Sequence, residues 1–301
     1  MTHCLENFLK EQDVKFYKSY SMQKLSSIRI GGMADIVAFP DTRAKLVKIV
    51  DFVVENRIKY KIAGRMTNIL PCDDNYRGVL ILTKCIREYS LEDNTVRADC
   101  GVIFSNLICN LAEQNLGGVY DLYGIPGSVG GMISCNAGAY NLCMADCFIE
   151  ADVYSPKTKE IFKFSHRDMK FSYRESIVKN TDLIILSALI KLDYVCGFEE
   201  RKKIKDVLLK RKISQPYDKM SLGSVFKRKN GIPISKLIDN IGMKGFSVGD
   251  AEISNKHAGF IINNGHATAR DILQLVDIIK ENVNNRYGIL PELEIEILNG
   301  D

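Results

Sequence analysis

The 301-residue sequence predicts an α+β fold with more than one domain. Apolar residues recur at helical spacing in three separate stretches, 41–57, 104–114 and 268–285, and short runs of β-type residues lie between them. Apolar residues make up 46% of the chain, enough to fill one large core or two to three smaller ones. We therefore expect a multi-domain protein with separate hydrophobic cores.

Predicted helices and strands alternate through the first half of the chain. A short helix is expected at 3–12, and a stripe of Leu46, Ile49, Val50, Val53 and Val54 predicts an amphipathic helix over 41–57 that covers a sheet. The same periodicity predicts a helix over 104–114, closed by Gly117. Strands are predicted at 36–39, 60–62, 79–82 and 95–98.

The second half contains further strands and three helices. Strands are predicted at 148–154, 160–164 and 183–192, and helices at 199–212 and 235–241. A third helix is predicted over 268–285, with Thr268 as its N-cap. The final strand, 291–298, alternates Glu292, Glu294 and Glu296 with apolar residues, which is typical of a half-buried strand with its carboxylates in water.

Charge and cysteine content exclude several classes of protein. A net charge of +4 and the lack of tryptophan argue against a nucleic-acid-binding protein. The basic run 201–212 is predicted to be a solvated helix face, whereas the run 227–229, beside Gly223 and Ser224, is predicted to form a cationic rim that attracts an anionic substrate.

The nine cysteines contain no C-x-x-C pair, so we expect buried thiols in a reducing compartment and no metal site. Neither a signal peptide nor a spanning helix is predicted, which favours a cytoplasmic location.

The most informative stretch is 117–141, GGVYDLYGIPGSVGGMISCNAGAYN. Six glycines fall within its first fifteen residues, where average composition would supply roughly one. They alternate with Tyr123, Ile125, Pro126, Val129 and Met132, which a flexible linker would not carry. We expect a packed turn whose exposed amides form a nest for a phosphate or diphosphate. The alternative is a tight structural turn between two buried elements.

The order of the glycines fits neither a P-loop nor the first turn of a dinucleotide-binding unit. The segments GIPGSVGG and NAGAY instead resemble the flavin-binding core of the UDP-N-acetylenolpyruvoylglucosamine reductases, also called UDP-N-acetylmuramate dehydrogenases. Tyr173-Arg174-x-Ser176, Gly223-Ser224-x-Phe226 and the segment 256–260 extend the resemblance, which covers 26–298. The interval 173–215 is short, as in the compact variety of the family.

The resemblance implies a two-part FAD-binding domain of the vanillyl-alcohol-oxidase-like type and a C-terminal α/β substrate-binding domain. The implied division is an N-terminal segment at 1–27, the FAD-binding domain at 28–193 and the substrate-binding domain at 194–301, whose last strand contributes a catalytic residue.

FAD, bound non-covalently, and NADPH as cosubstrate are the cofactors that the resemblance implies. The cofactor-binding residues carried over from the family motifs are Arg29, Gly31, Gly64, Thr67, Asn68, Gly101, Gly124, Pro126, Gly127, Ser128, Gly130, Gly131, Asn136 and Gly138. Arg65 and Met66 depart from the family pattern, which usually has glycine there. Either the backbone angles suit these two residues or this half of the diphosphate cradle is altered.

The implied reaction is reduction of an enolpyruvyl ether of a UDP-sugar to the lactyl ether, in peptidoglycan precursor synthesis. Arg174, Ser224 and Glu294 match the catalytic residues, and Tyr173, Lys227, Lys256 and His257 match substrate-binding residues. Lys227-Arg228-Lys229 stands where the family often has Lys-Asn-Pro, and Ser214 stands where a lysine is common. The expected partners are the UDP-sugar and NADPH, with no nucleic acid, no membrane and no second subunit.

Two other interpretations are compatible with parts of the sequence. An oxidase of the same flavin fold would share the glycine segments, although many such enzymes attach the flavin to a histidine and none lies between His3 and His166. A non-catalytic carrier of flavin or UDP-sugar would share them as well. In isolation, Arg174 fits an exposed loop charge, Ser224 a turn serine and His257 a structural residue.

Overall fold

The computed structural model describes residues 2–300, which form two compact units. The first unit comprises 2–18, 36–65 and 78–209, and the second comprises 19–35, 66–77 and 210–300. Each unit contains its own hydrophobic core. The units are thus discontinuous in sequence, whereas the domain division expected from the sequence is continuous and stays a prediction.

The helices of the described part are α1 Thr2–Glu11, α2 Arg43–Glu55, α3 Phe104–Glu113, α4 Val129–Ser134, α5 Met144–Cys147, α6 His166–Met169, α7 Gly197–Ser214, α8 Ile234–Asn240 and α9 Ala269–Tyr287. Within residues 2–300, no helix combines the length and the apolar content needed to cross a bilayer.

The strands are β1 Lys15–Ser21, β2 Met33–Phe39, β3 Tyr60–Ala63, β4 Ile69–Pro71, β5 Tyr76–Leu82, β6 Tyr89–Glu92, β7 Thr95–Asp99, β8 Leu116–Gly117, β9 Gly138–Ala139, β10 Leu142–Cys143, β11 Phe148–Ser155, β12 Glu160–Ser165, β13 Ile184–Lys191, β14 Asp193–Tyr194, β15 Met220–Ser224, β16 Ser247–Val248, β17 Ala251–Ile253, β18 Phe260–Asn263 and β19 Glu296–Leu298.

The first unit is built on a five-stranded antiparallel sheet in the order β12-β11-β13-β7-β6. A four-stranded sheet in the order β1-β2-β5-β3 has most of its residues in the same unit, and its strands β3 and β5 are parallel. Helices α2 and α3 bury their apolar stripes in this core, because Leu46, Ile49 and Val53 of α2 and Leu107 and Leu111 of α3 are buried.

The second unit contains a four-stranded sheet in the order β15-β18-β17-β16, together with α8 and α9. Ile272, Leu275, Val276, Ile279 and Val283 of α9 are buried, as the stripe in the sequence predicts. The same core includes residues from far upstream, namely Ile28, Ile30 and Leu70. The second unit therefore depends on long-range contacts within its own discontinuous segments.

The predicted final strand is wrong in extent. Only Glu296–Leu298 forms a strand, which pairs with β4 in parallel, while Leu293 makes a single bridge to Phe226. The chain changes its pairing partner between Glu294 and Glu296, because Glu294 N donates to Val225 O and Glu296 N donates to Asn68 O. One continuous ladder is thereby interrupted.

Several elements were not predicted from the sequence, and β1 and α4 show why. Strand β1 (KFYKSYS) consists of exposed and half-buried residues, so it lacks the buried alternation that marks a strand in sequence. Helix α4 lies inside the glycine-rich stretch, where composition alone favours a turn.

The N-terminus of α9 is closed by two sets of side chains. Thr268 and Asp271 form a capping box, in which Thr268 Oγ1 accepts from Asp271 N at 3.1 Å and Asp271 Oδ2 accepts from Thr268 N at 2.8 Å. In addition, the Asp73 carboxylate accepts from the Ala269 and Arg270 amides at 2.7 and 3.1 Å. The predicted N-cap is confirmed, and the two sets together satisfy the amides at this end of the helix.

Replacing Thr268 with alanine tests this cap. Thr268→Ala is expected to destabilise the protein by about 1 kcal/mol, because an N-cap side chain typically contributes that much. Thermal unfolding followed by circular dichroism should show a fall in Tm of about 2–4 °C. Thr158→Ala, at an exposed turn position, is the matched control and should leave Tm unchanged. Equal shifts in both variants would contradict the assignment.

Candidate flavin and substrate sites

The glycine-rich stretch 124–138 is bonded to the chain that precedes it in the first unit. The amides of Gly127, Val129 and Gly130 donate to Ile125 O, Val102 O and Cys100 O at 2.9, 2.8 and 2.9 Å. Ser128 is the N-cap of α4, and its hydroxyl accepts from Gly131 N at 3.4 Å. The amides of Gly127, Val129, Gly130 and Gly131 have acceptors inside the protein, so the expectation of a nest of exposed amides does not hold for them.

Close packing explains why glycine is needed at two of these positions. A Cβ on Gly130 would lie 2.9 Å from Cys100 Cβ, and one on Gly64 would lie 2.4 Å from Ser128 Oγ. The loop that contains Gly64 therefore lies directly against the glycine-rich stretch. Both segments belong to the first unit, and both were predicted to contact the cofactor. Burial raises the pKa of the adjacent Cys100 thiol to about 12, so this thiol is protonated at neutral pH.

The predicted cofactor-binding residues of the first unit are compatible in charge with the diphosphate of FAD. The predicted cofactor-binding residues there are Gly64, Gly101, Gly124, Pro126, Gly127, Ser128, Gly130, Gly131, Asn136 and Gly138, none of which carries a negative charge. Pro126 and Gly131 are exposed. The lack of acidic side chains leaves no charge among these residues that would repel an anion. Among residues 2–300, no cluster of three or more potential metal ligands is present.

The remaining predicted cofactor-binding residues, Arg29, Gly31, Thr67 and Asn68, belong to the second unit. Arg29 is exposed, has a φ of 59°, and donates from Nη1 to Lys24 O at 3.2 Å. Gly31 has a φ of 128°, and a Cβ there would lie 2.7 Å from Pro71 Cβ. Only glycine fits this backbone conformation without strain.

The two departures from the glycine pattern differ from each other. Met66 has a φ of 51° and a fully buried side chain, whereas Arg65 is exposed and is not among the residues with positive φ. Methionine in the left-handed region costs roughly 1–2 kcal/mol relative to glycine. Burial of its side chain offsets this cost, since a buried methionine contributes about 1.5–3 kcal/mol. The backbone at Met66 thus keeps the conformation that favours glycine, and that at Arg65 does not.

Arg174 lies in a tight turn of the first unit. Ser172 and Glu175 exchange two backbone hydrogen bonds at 3.1 and 3.2 Å, and Arg174 has a φ of 60°. A non-glycine residue in this conformation is strained, and such strain tends to occur at functional positions. The guanidinium carbon lies 5.0 Å from the ring centroid of Tyr173, which is itself exposed. The two residues are thus held as a cation–π pair.

Three hydrogen bonds attach this turn to the segment 134–138 of the glycine-rich stretch. Ser176 Oγ donates to Ser134 O at 2.7 Å, Asn136 Nδ2 donates to Ser172 O at 2.9 Å, and Arg174 Nη2 donates to Gly138 O at 2.7 Å. Asn136 also accepts from Ala145 N at 3.0 Å. The buried Asn136, predicted to bind the cofactor, therefore uses its side chain to hold the Arg174 turn.

In the second unit, the structure brings Asn68, Ser224 and Glu294 into one region. Glu294 N donates to Val225 O at 2.8 Å, so the glutamate is paired with the residue that follows Ser224. Asn68 Nδ2 donates to Glu294 O at 3.0 Å, and Asn68 O accepts from Glu296 N at 2.9 Å. Asn68 thereby holds the backbone at both Glu294 and Glu296. The Ser224 hydroxyl donates to Phe226 O at 3.3 Å.

Burial distinguishes Glu294 from the two glutamates beside it. Glu294 is half-buried, whereas Glu292 and Glu296 are exposed, and Glu292 forms an ion pair with Lys229. A regular strand, as predicted from the sequence, would place all three on one water-facing side. The interrupted pairing puts Glu294 in a different environment, which favours it over its neighbours as the functional carboxylate.

Lys256 and His257 make contacts within the second unit. The exposed Lys256 donates from Nζ to Lys212 O at 2.7 Å, and His257 Nδ1 accepts from Gly259 N at 3.1 Å. Burial lowers the pKa of His257, so the ring is neutral at pH 7. Lys227 is half-buried, and its amide donates to Glu292 O at 2.9 Å. The structure gives His257 a local structural role.

Comparisons with known proteins assign a family to each of two long segments of the chain. Residues 34–162 match an FAD-binding domain family, and residues 215–298 match the C-terminal domain of UDP-N-acetylenolpyruvoylglucosamine reductase. A protein of that name from Clostridioides difficile is 38% identical over 299 residues, covering 99% of this chain and 97% of its own. The chain belongs to the UDP-N-acetylenolpyruvoylglucosamine reductase family.

Other members of the reductase family are similar over the same length. The reductase of Caldanaerobacter subterraneus is 36% identical over 299 residues, covering 98% of this chain and 99% of its own. The crystal structure of the reductase from Thermus caldophilus superposes with a TM-score of 0.80 at 28% identity, covering 95% and 99% of the two chains. The resemblance inferred from the sequence motifs is confirmed.

A more distant structure indicates the wider fold class. A berberine bridge enzyme variant has a TM-score of 0.51 at 14% identity, and the match covers 64% of this chain and 44% of that one. The protein is an FAD-dependent oxidoreductase with the predicted α+β fold and a flavin domain of the vanillyl-alcohol-oxidase-like type.

Sequence reasoning missed what Ser176 and Asn136 contact. The Tyr-Arg-x-Ser motif pointed to Arg174, but not to a bond between its serine and the glycine-rich stretch. The only signal in the sequence was the recurrence of short polar residues, Ser134, Asn136 and Ser176, in both motifs of this reductase.

Removal of the Ser176 hydroxyl tests the attachment of the turn. Ser176→Ala is expected to lower stability by about 1 kcal/mol, because the carbonyl of the half-buried Ser134 loses its donor. We expect kcat to fall about tenfold as Arg174 becomes less well placed, with the FAD absorbance of the purified protein retained. Ser134→Ala keeps the acceptor carbonyl and is the control. Steady-state kinetics showing equal losses in both variants would contradict this role of Ser176.

Proposed function

We propose that this protein reduces UDP-N-acetyl-3-O-(1-carboxyvinyl)-glucosamine to UDP-N-acetylmuramate with NADPH, in peptidoglycan precursor synthesis. The observation that carries the proposal is the sequence identity of 36–38%, over nearly the full length of the chain, to UDP-N-acetylenolpyruvoylglucosamine reductases. The presence of Arg174, Ser224 and Glu294 at the family's catalytic positions supports a reductase over a non-catalytic carrier.

The reaction adds a hydride and a proton across a carbon–carbon double bond. FAD, reduced by NADPH, supplies the hydride for the methylene carbon of the enolpyruvyl group. The neighbouring carbon, which bears the carboxylate, then requires a proton. Negative charge develops on the carboxylate oxygens between these events, so the protein must stabilise an enolate.

Arg174 is proposed to stabilise that charge. A guanidinium group can donate two parallel hydrogen bonds to the oxygens of a carboxylate or enolate. The fixed turn that carries Arg174, and its bond to Gly138 O, support this role because a pre-organised cation need not be ordered at the moment of reaction. Tyr173, stacked on the guanidinium, is proposed to contact the substrate as well.

Ser224 is proposed to donate the proton. Glu294 is proposed to orient the substrate, or to share its developing charge, by hydrogen bonding. A serine hydroxyl is a weak acid at neutral pH, so the resulting alkoxide needs a cation, for which Lys227 is the candidate within the same segment. The pairing of Glu294 with Val225 supports joint action of the serine and the carboxylate. Lys256 remains a proposed contact for the UDP moiety, and His257 a proposed substrate contact.

Several further expectations stay predictions. They are the non-covalent attachment of FAD, the monomeric state, the cytoplasmic location, and the division into an FAD-binding domain at 28–193 and a substrate-binding domain at 194–301.

Ser224→Ala tests the proton-donor role. Stopped-flow absorbance should show NADPH reducing the bound flavin at nearly the normal rate, while reoxidation by the enolpyruvyl sugar nucleotide slows by roughly 10²–10⁴-fold. Ser221→Ala, on the same strand, is the control and should leave both half-reactions unchanged. Equal loss in the two half-reactions would argue against proton donation. Wild-type flavin that is bleached but never reoxidised by the sugar nucleotide would refute the reductase assignment.

A comparison of neighbouring glutamates tests the role of Glu294. Glu294→Gln is expected to reduce kcat/KM by about 10²-fold or more, since a carboxyl group that shares charge or a proton is replaced by an amide. Glu296→Gln removes an exposed carboxylate two residues away and should change kcat/KM by no more than about twofold. Steady-state kinetics would contradict the assignment if the two variants lost activity equally.

A further inference from the structure

Helix α7 carries large apolar side chains on the side that faces water. Within the first unit, Phe198 is 67% exposed and Leu209 is 57% exposed. Lys202 and Lys205 lie between them and are also exposed. The four residues follow the spacing i, i+4, i+7 and i+11, so they form one continuous stripe, which we name the outer stripe.

The inner side of the same helix has an unusual composition. Glu200, Ile204 and Val207 are buried, and the Glu200 carboxylate, 1% exposed, accepts a hydrogen bond from Gly118 N at 2.9 Å. A surface helix normally has its apolar residues inside and its charged residues outside. Here a carboxylate is buried and a phenylalanine and a leucine are exposed, so packing within the unit does not account for the outer stripe.

The surroundings of the outer stripe are aromatic and basic. Tyr194, three residues before α7, is 71% exposed. The sequence Arg201–Lys212 contains seven basic residues and one acidic residue, Asp206, which borders the outer stripe. Exposed aromatic and aliphatic side chains between lysines are the composition of helices that lie in a bilayer interface, where lysine stems extend toward the headgroups.

We propose that the outer stripe of α7 docks on the surface of an anionic phospholipid bilayer. Phe198 and Leu209 insert at the boundary of the acyl chains, with Tyr194 at headgroup level and Lys202 and Lys205 against lipid phosphates. A second copy of the chain fits less well, because two outer stripes facing each other would bring four lysines together against only the two Asp206 carboxylates that border them. This contact is peripheral and differs from spanning the bilayer. It departs from the expectation of no membrane partner, since the sequence alone predicted a solvated helix face.

Vesicle co-sedimentation of the full-length holoprotein tests the proposal. The protein should bind phosphatidylglycerol vesicles at low salt, and binding to pure phosphatidylcholine vesicles should be weaker by at least about tenfold. About 0.5 M NaCl should reverse most of the binding, because the lysine–phosphate attraction is screened. No binding to phosphatidylglycerol, or equal binding to the two lipids, would overturn the proposal.

Matched pairs of variants locate the contact. The double variant Phe198→Ser/Leu209→Ser should weaken binding by about tenfold or more, and Lys202→Glu/Lys205→Glu by at least about fivefold. The controls change other exposed residues of the same unit, Ile161→Ser/Phe162→Ser on β12 and Lys157→Glu/Lys191→Glu, and should bind as wild type. Equal losses in controls and outer-stripe variants would reject α7 as the docking surface.

Two further measurements separate lipid binding from misfolding and from self-association. Flavin absorbance and Tm should be unchanged in the outer-stripe variants, since the substituted side chains are exposed. Light scattering should show the same mass for the wild-type protein and the outer-stripe variants, which means that the outer stripe does not mediate self-association. If such self-association is found and vesicles do not bind, the outer stripe is an interface between copies of the chain and the lipid proposal fails.

Discussion

The attachment of the Arg174 turn to the segment 134–138 is the constraint on which the chemistry proposed for the first unit depends. An arginine on a surface turn samples many rotamers, and each lost degree of freedom costs free energy. Here the backbone of the turn is held by Asn136 and Ser176, and the guanidinium itself is held by Gly138 O. The stretch that lies against Gly64 also holds the Arg174 guanidinium, so the proposed cofactor site and the proposed charge-stabilising residue share one segment of backbone.

In the second unit, Asn68 likewise holds two neighbouring backbone positions. The side chain and the carbonyl of one asparagine bind the backbone at Glu294 and Glu296, on either side of a change in strand partner. This change is what separates the environment of Glu294 from that of Glu292 and Glu296. A regular strand would have given three equivalent carboxylates, so an irregularity of the fold selects one of them.

The helices with strong apolar periodicity could be predicted from sequence, because α2, α3 and α9 bury one stripe against a sheet or core. The discontinuous second unit could not, since its core joins Ile28, Ile30 and Leu70 to residues more than a hundred positions away. The motifs predicted roles for Arg174 and Ser224, because short patterns are visible in sequence. The contacts of Asn136 and Asn68 were not visible, because a side-chain amide suits many partners and only the folded backbone decides which one it meets.

The double closure of the α9 N-terminus has a consequence for ligand recognition in the second unit. Two carboxylates, from Asp73 and Asp271, already take the amides and the positive end of the helix dipole. A diphosphate could bind at that helix end only by displacing these carboxylates, which carry the same sign of charge and belong to the chain itself. The proposed UDP-sugar site of this unit would therefore have to use groups other than the α9 amides, and exposed cationic side chains such as Lys256 are the candidates.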